Sequence, residues 1–193
     1  MRDWTLATYL ERLAAPRPPT PAGGVVAALS LAQAAGLLTM VARIAGGPDD
    51  VLTRAPQLKE RALELVEADV RAFDAVTVEV ARSRDDPGRA AAISAALVAA
   101  AGPPAQVVEL GCEAVGMAER LSVIAGRTVL ADVAAAAEAA AAAVAISRTN
   151  VESNVRGAPH GPDVTRLREG LAPVDEVLAR AAALREAVRG RVG

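Results

Sequence analysis

The residues of this chain best able to do chemistry are two aspartates, Asp69 and Asp132, the nearby pair Arg148 and Asn150, and the adjacent glycines Gly23 and Gly24. Asp132 enters an alanine-rich stretch. If that carboxyl is buried, desolvation raises its pKa and the protonated form can donate to a ligand nitrogen. The alternative is an exposed carboxylate stabilised by the dipole at a helix start. Asp69 and Phe73 are four apart and share a helix face, so a carboxylate beside an aromatic ring could flank a planar heterocycle. The competing reading puts Phe73 in the core with Asp69 on its rim. Gly23 and Gly24 fall in the first turn of a helix, where backbone N–H groups are unpaired. Lacking Cβ atoms, they either let a ligand carboxylate or carbonyl approach those donors or simply permit tight packing. Arg148 suits an anionic ligand group or a solvated helix-end cation. Asn150 follows Asp132 by about five helical turns, so both share a face yet lie about 27 Å apart along a continuous helix. One small reacting centre in one subunit cannot use both; a bend, a long ligand or a partner subunit would have to intervene.

Other chemistry is poorly supported. His160, the single histidine, sits in a glycine- and proline-rich loop without a neighbouring partner, and Cys112, the single cysteine, reads as a small buried apolar residue. No Cys/His cluster, phosphate-binding loop or dinucleotide fingerprint is present, so neither a metal nor a nucleotide cofactor is expected. The charge is nearly balanced, with 21 basic and 23 acidic residues. That disfavours nucleic acid and anionic membranes, which call for a basic surface. A lone cysteine fits a reducing, cytoplasmic setting, and Arg2, Asp3, Glu11 and Arg12 interrupt any apolar leader.

The elements that must position these residues are helical. Leu6, Tyr9, Leu10 and Leu13 at helical spacing predict a first helix from near Asp3, stopped at Pro16. Pro18, Pro19 and Pro21 predict a stiff connector, with Thr20 as N-cap and Pro21 as the first residue of the next helix. Residues 22–42 carry no charge. Their length permits a membrane span, but Ala, Gly, Ser30, Gln33 and Thr39 favour a central buried helix. The Ala28, Ala32, Gly36 series offers a smooth face for close helix packing. A third helix is predicted from Asp49 to Ser83, its core drawn from Leu58, Leu63, Leu65, Val66, Val70, Phe73 and Val76. A fourth starts near Arg89, breaks at Gly102-Pro103-Pro104 and continues to about Ser122. A fifth spans residues 129–151 through an alanine tract of high helix propensity. A sixth closes the chain from Asp163 to Arg189, broken near Gly170 to Pro173. No strand alternation survives, so residues 1–193 read as one all-α domain, a bundle of about six helices. With only Trp4, Tyr9 and Phe73 as aromatics, thin side chains bury little area, and oligomerisation is expected to supply more.

Thr20-Pro21-Ala22-Gly23-Gly24-Val25-Val26-Ala27-Ala28-Leu29 resembles the "TPGGGSVAAL" signature of the cyclodeaminase/cyclohydrolase family. Tyr9-Leu10-Glu11-Arg12-Leu13-Ala14 before it and Met40-Val41-Ala42-Arg43 after it agree with the family's flanks. Asp69-Val70-Arg71-Ala72-Phe73 is similar to its aspartate-x-x-alanine-aromatic segment, and Pro103-Pro104 falls where its members carry a proline-broken helix. Ala131-Asp132-Val133 and Arg148-Thr149-Asn150-Val151 resemble its "SDV" and "NVRTNL" elements. The likeness covers roughly residues 5 to 155. It departs from the pattern at Ala22, Val25, Arg127, Ala131 and Ile146, where the family carries glycine, serine, asparagine, serine and asparagine.

The resemblance implies an all-helical homodimer that binds a tetrahydrofolate derivative as substrate near the glycine-rich helix start. It implies catalytic work for Asp132 first and Asp69 second. Ligand contacts would come from Thr20, Pro21, Gly23, Gly24, Phe73, Arg148 and Asn150, with Arg148 facing a glutamate tail. Two reactions at the bridge between N5 and N10 fit equally. Cyclodeamination closes the bridge with loss of ammonia; cyclohydrolysis opens it with water. Two rivals stand beside this reading: a non-catalytic helical dimer that keeps the fold and a ligand cleft, and an enzyme for another heterocyclic C–N substrate.

Overall fold

Glycine and proline punctuate the chain, and among the described residues the apolar stretches between them coil into eight helices: α1 (Leu6–Ala14), α2 (Gly23–Ala45), α3 (Asp49–Val80), α4 (Arg89–Ala100), α5 (Gly102–Ile124), α6 (Arg127–Asn154), α7 (Pro162–Glu169) and α8 (Val174–Val192). The computed structural model describes residue 1, residues 3–16 and residues 21–192, and those residues contain no strand. Two of the six predicted helical stretches are divided where breaks were expected. Gly102-Pro103-Pro104 starts α5, and the segment from Gly170 to Pro173 separates α7 from α8.

Several boundaries move, each for a local reason. The first helix begins at Leu6 rather than Asp3, because the Thr5 hydroxyl accepts the Thr8 N–H at 3.1 Å and caps it. The third ends at Val80 rather than Ser83, where the chain turns toward Gly88. The predicted Thr20–Pro21 cap shifts as well. Ala22, in extended backbone, occupies the cap position of α2, and its carbonyl accepts the Val26 N–H at 3.1 Å. Pro21 is buried just before the helix, and Thr20 lies outside the described residues, as do Pro18 and Pro19 of the connector.

Helix α2 is the centre of the bundle, packed against α3, α5 and α6, while α6 also packs against α5 and α8. Ten α2 residues are buried, from Val25 through Leu31 and Leu38 to Ala42, which accounts for the missing charge over residues 22–42. By length and composition alone, Gly23–Ala45, Arg89–Ile124 and Arg127–Asn154 could each cross a membrane. Their small side chains let backbones approach closely: a Cβ at Gly111 of α5 would stand 2.4 Å from Cγ2 of Val144 on α6. Gly46 ends α2 in the left-handed conformation at φ 62°, the usual role of glycine after a last helical turn. Arg54 and Glu113 tie α3 to α5 through two hydrogen bonds of 2.7 and 2.9 Å. Arg180 and Glu119 tie α8 to α5 in the same bidentate manner. Phe73 departs from expectation: it is half-buried and belongs to neither of the two apolar clusters, whereas Leu58, Leu65 and Val66 are core residues.

Candidate functional site

The site grows from the start of α2. Ala22, at the cap position, has no side chain able to pair with the N–H groups of the first turn. Gly23 is exposed and Gly24 half-exposed there, so this first turn borders the surface rather than the core.

Helix α3 brings Asp69 directly against this start. A Cβ built on Gly24 would fall 2.0 Å from Oδ1 of Asp69, 2.4 Å from its Cγ and 2.5 Å from its Oδ2. The carboxyl therefore occupies the space that any other residue at position 24 would need. Burial between the helices pushes Asp69 up to about 6, because desolvation disfavours the charged form. A carboxyl poised there exchanges protons readily near neutral pH.

Helix α6 closes the other side with Asn150. A Cβ on Gly23 would stand 3.6 Å from Asn150 Oδ1 and 3.7 Å from its Nδ2, an ordinary contact distance. The Asn150 Nδ2 is buried with no hydrogen-bond partner, and so is the hydroxyl of Ser147, one turn earlier on the same helix. Leaving such a group unpaired costs about 1–3 kcal/mol, which natural folds tolerate mainly where a ligand or solvent completes the pairing. Ser147 is fully buried and was not anticipated from sequence. Its only signal was the three-residue spacing to Asn150.

The other predicted residues scatter. Helix α6 runs unbroken from Arg127 to Asn154, so Asp132 stands about 27 Å along its axis from Asn150. Within one protomer the carboxyl that meets Gly24 is Asp69, while Asp132 stands toward the other end of α6. Phe73 sits one turn beyond Asp69 on α3, half-buried. Arg148 is already engaged: it donates to Asp175 of α8 at 2.5 Å. His160 is exposed in its loop, and burial pushes the Cys112 thiol up, as suits a packing residue.

In this all-helical bundle a carboxyl, an amide and an uncapped helix start converge. Its architecture is that of a cyclodeaminase: the chain superposes on the crystal structure of formiminotetrahydrofolate cyclodeaminase from Thermotoga maritima with a TM-score of 0.79, covering 97% of this chain and 98% of that one at 22% identity. Residues 5–169 match the sequence profile of the family described as Formiminotransferase-cyclodeaminase. The methenyltetrahydrofolate cyclohydrolase of Methylorubrum extorquens is 30% identical over 198 aligned positions, spanning 95% of this chain and 93% of the relative. The chain belongs to the formiminotransferase-cyclodeaminase family.

Proposed function

We propose that the protein acts on the one-carbon bridge between N5 and N10 of a tetrahydrofolate derivative, opening a methenyl bridge with water. The observation that carries this is the Asp69 carboxyl set against Gly24, with the Asn150 amide facing Gly23 across the same cleft. The extended similarity to a methenyltetrahydrofolate cyclohydrolase supports the hydrolytic direction.

The chemistry needs a base for water and an acid for the departing nitrogen. With its pKa near 6, Asp69 is about nine-tenths ionised at pH 7 and can take a proton from water as the oxygen attacks the methenyl carbon. The same carboxyl then returns that proton to N5 as the carbon–N5 bond breaks. The hydroxyl proton of the adduct is released to solvent as its oxygen becomes the formyl carbonyl on N10. Asn150 and the N–H groups of Gly23 and Gly24 orient the ligand's carbonyl and amine edges.

A homodimer belongs to the proposal. Along α2, Gly36, Met40 and Ile44 form an outward stripe; Ile44 is 61% exposed, and a Cβ at Gly36 would touch nothing within 4 Å. A second copy would cover that stripe, and it is also the route by which Asp132 could reach a centre. The direct test is the loss of methenyltetrahydrofolate absorbance with purified protein, beside calorimetric binding of 5-formyltetrahydrofolate. Binding with turnover is expected; the absence of both refutes the reading.

A further inference from the structure

We infer that the open cavity bordered by α1, α2 and α3 is the subsite for the fused 2-amino-4-oxopyrimidine ring of the substrate, with Trp4 and Tyr9 as its aromatic wall and Gln33 and Glu67 as its polar edge. This rests on the folate reading above and names which part of the chain would hold which part of that ligand.

The cavity measures about 490 Å³, within the span of about 300–1,000 Å³ usual for small-molecule sites. Its wall on α2 is a single stripe, Val26, Ser30 and Gln33, whose continuation one turn back is Gly23. Its wall on α3 is Leu63, Val66 and Glu67, and Asp69 follows Val66 by one turn. The stripes on both helices thus lead from the cavity toward Gly23, Gly24 and Asp69, with a rise of about 4.5 Å from Gly23 to Val26. N5 is an atom of the fused ring itself, so the reacting bridge must lie at the ring's edge. A ring in this cavity meets that constraint when the bridge lies beside Asp69.

The composition of the third wall is unusual for this chain. Trp4 and Tyr9 are two of only three aromatic residues in 193, and both line this one space. Helix α1 contributes no fully buried residue, and its Leu6, Tyr9, Leu10 and Leu13 line the cavity, Tyr9 also packing against the core. A planar heterocycle stacks well on such rings. Arg12 lies over the Trp4 ring at 5.9 Å and holds it in place. The polar groups match the ring's edges. A carboxylate accepts a pair of hydrogen bonds from an exocyclic amine and the adjacent ring N–H, which Glu67 can offer beside Arg71 at 3.9 Å. Burial raises the Tyr9 hydroxyl, which therefore stays a donor for a ring carbonyl.

The test is calorimetry with 5-formyltetrahydrofolate on the full chain and on Trp4→Ala, Trp4→Phe and Glu67→Gln, each with an unliganded thermal melt and sedimentation. Affinity is expected to fall about tenfold or more in Trp4→Ala and Glu67→Gln, and to stay within about threefold in Trp4→Phe, which keeps an aromatic face. Trp4 is the only tryptophan, so its fluorescence in the wild-type chain should change on saturation. If Trp4→Ala fails to fold, that signal together with Glu67→Gln decides. Wild-type binding with a silent Trp4 and unchanged affinity in the variants overturns the subsite while leaving the folate reading intact. No binding by the wild type removes both. A change of oligomeric state in Trp4→Ala would also overturn the assignment, because the cavity wall would then be a subunit contact.

Discussion

Replacing Gly24 with alanine should disable the site while leaving the bundle folded. The added Cβ would meet Oδ1 of Asp69 at 2.0 Å, where an ordinary contact begins at 3.4 Å, so that oxygen must retreat by about 1.4 Å. Backbone cannot easily give at the first turn of the central helix, so Asp69 must change its χ1 or leave its rotamer at about 0.5–1.5 kcal/mol. The catalytic loss should be larger, because displacing a reacting group by about 1 Å costs on the order of 10²-fold in rate. We therefore expect Gly24→Ala to lower kcat/KM for methenyltetrahydrofolate about 10²-fold with a stability loss near 1 kcal/mol. Gly190→Ala is the control: it lies on α8 away from the site, a Cβ there would meet nothing within 4 Å, and activity should stay within a few-fold. Denaturant melts and the absorbance assay measure the two quantities separately. Adding Asp69→Ala to Gly24→Ala should recover the lost stability but not the rate, as coupled neighbours do in a double-mutant cycle. Wild-type turnover in Gly24→Ala, or an equal loss in Gly190→Ala, would refute the reasoning.

The remaining expectations concern Asp69, Asp132, Val25 and the assembly. The log of kcat/KM should rise with pH up to an inflection near 6 and then level, and Asp69→Asn should remove that limb and lower turnover by about 10² or more. Because the folded-state pKa of Asp69 is raised above 3.8, the native state holds its proton more tightly than the unfolded chain does. Stability contributed by this group is therefore full below about pH 4 and lost as pH rises toward 6, so Asp69→Asn should outlast the wild type only at higher pH; melts at pH 4 and 7 check the sign. Asp132→Asn should reduce turnover only if a partner subunit delivers it to the cleft, so a loss there in a protein that sediments as a monomer contradicts the geometry. Val25→Ser should cost about 2 kcal/mol or more in a denaturant melt and leave the rate unchanged, since its side chain is fully buried. Sedimentation at micromolar concentration should give a dimer, and Ile44→Arg should shift it toward monomer.

Much of the fold was legible because this chain marks its boundaries with residues of strong backbone character. Gly46, Gly102-Pro103-Pro104 and the segment from Gly170 to Pro173 each separate helices, and the uncharged run over residues 22–42 forms the central helix of the bundle. Less was legible at the site. Asp69 meets Gly24 across 45 residues of sequence, and no local pattern announces that pairing. Asp132 stood out because a charge in an alanine tract is conspicuous, yet conspicuousness along the chain says nothing about which cleft a side chain reaches. The start of α2 was placed early for a related reason: Thr-Pro is a strong local cap signal, but the extended backbone at Ala22 moves the first helical turn onto the glycines. That shift matters chemically, since it leaves the first-turn donors beside residues without side chains.

The departures from the family signature acquire a different meaning once they are placed in the fold. Val25 stands where the family carries serine, but here its side chain is fully buried in the core, so a hydroxyl would cost stability and present nothing to a ligand in the cleft. Ala131 is exposed on α6, about 28 Å along the axis from Asn150, and Arg127 lies farther still, at about 34 Å. The groups that do converge are Gly23, Gly24, Asp69 and Asn150, and each of these matches the family's pattern. Val25 and Ile146 thus belong to the packing, Ala131 and Arg127 to the remote end of α6, and Ala22 alone to the helix start where Gly23, Gly24, Asp69 and Asn150 meet. A scaffold that had given up chemistry would have no reason to keep a desolvated carboxyl against a glycine and an unpaired buried amide, since both lower stability. Their persistence in one cleft favours a working enzyme over an inert helical dimer.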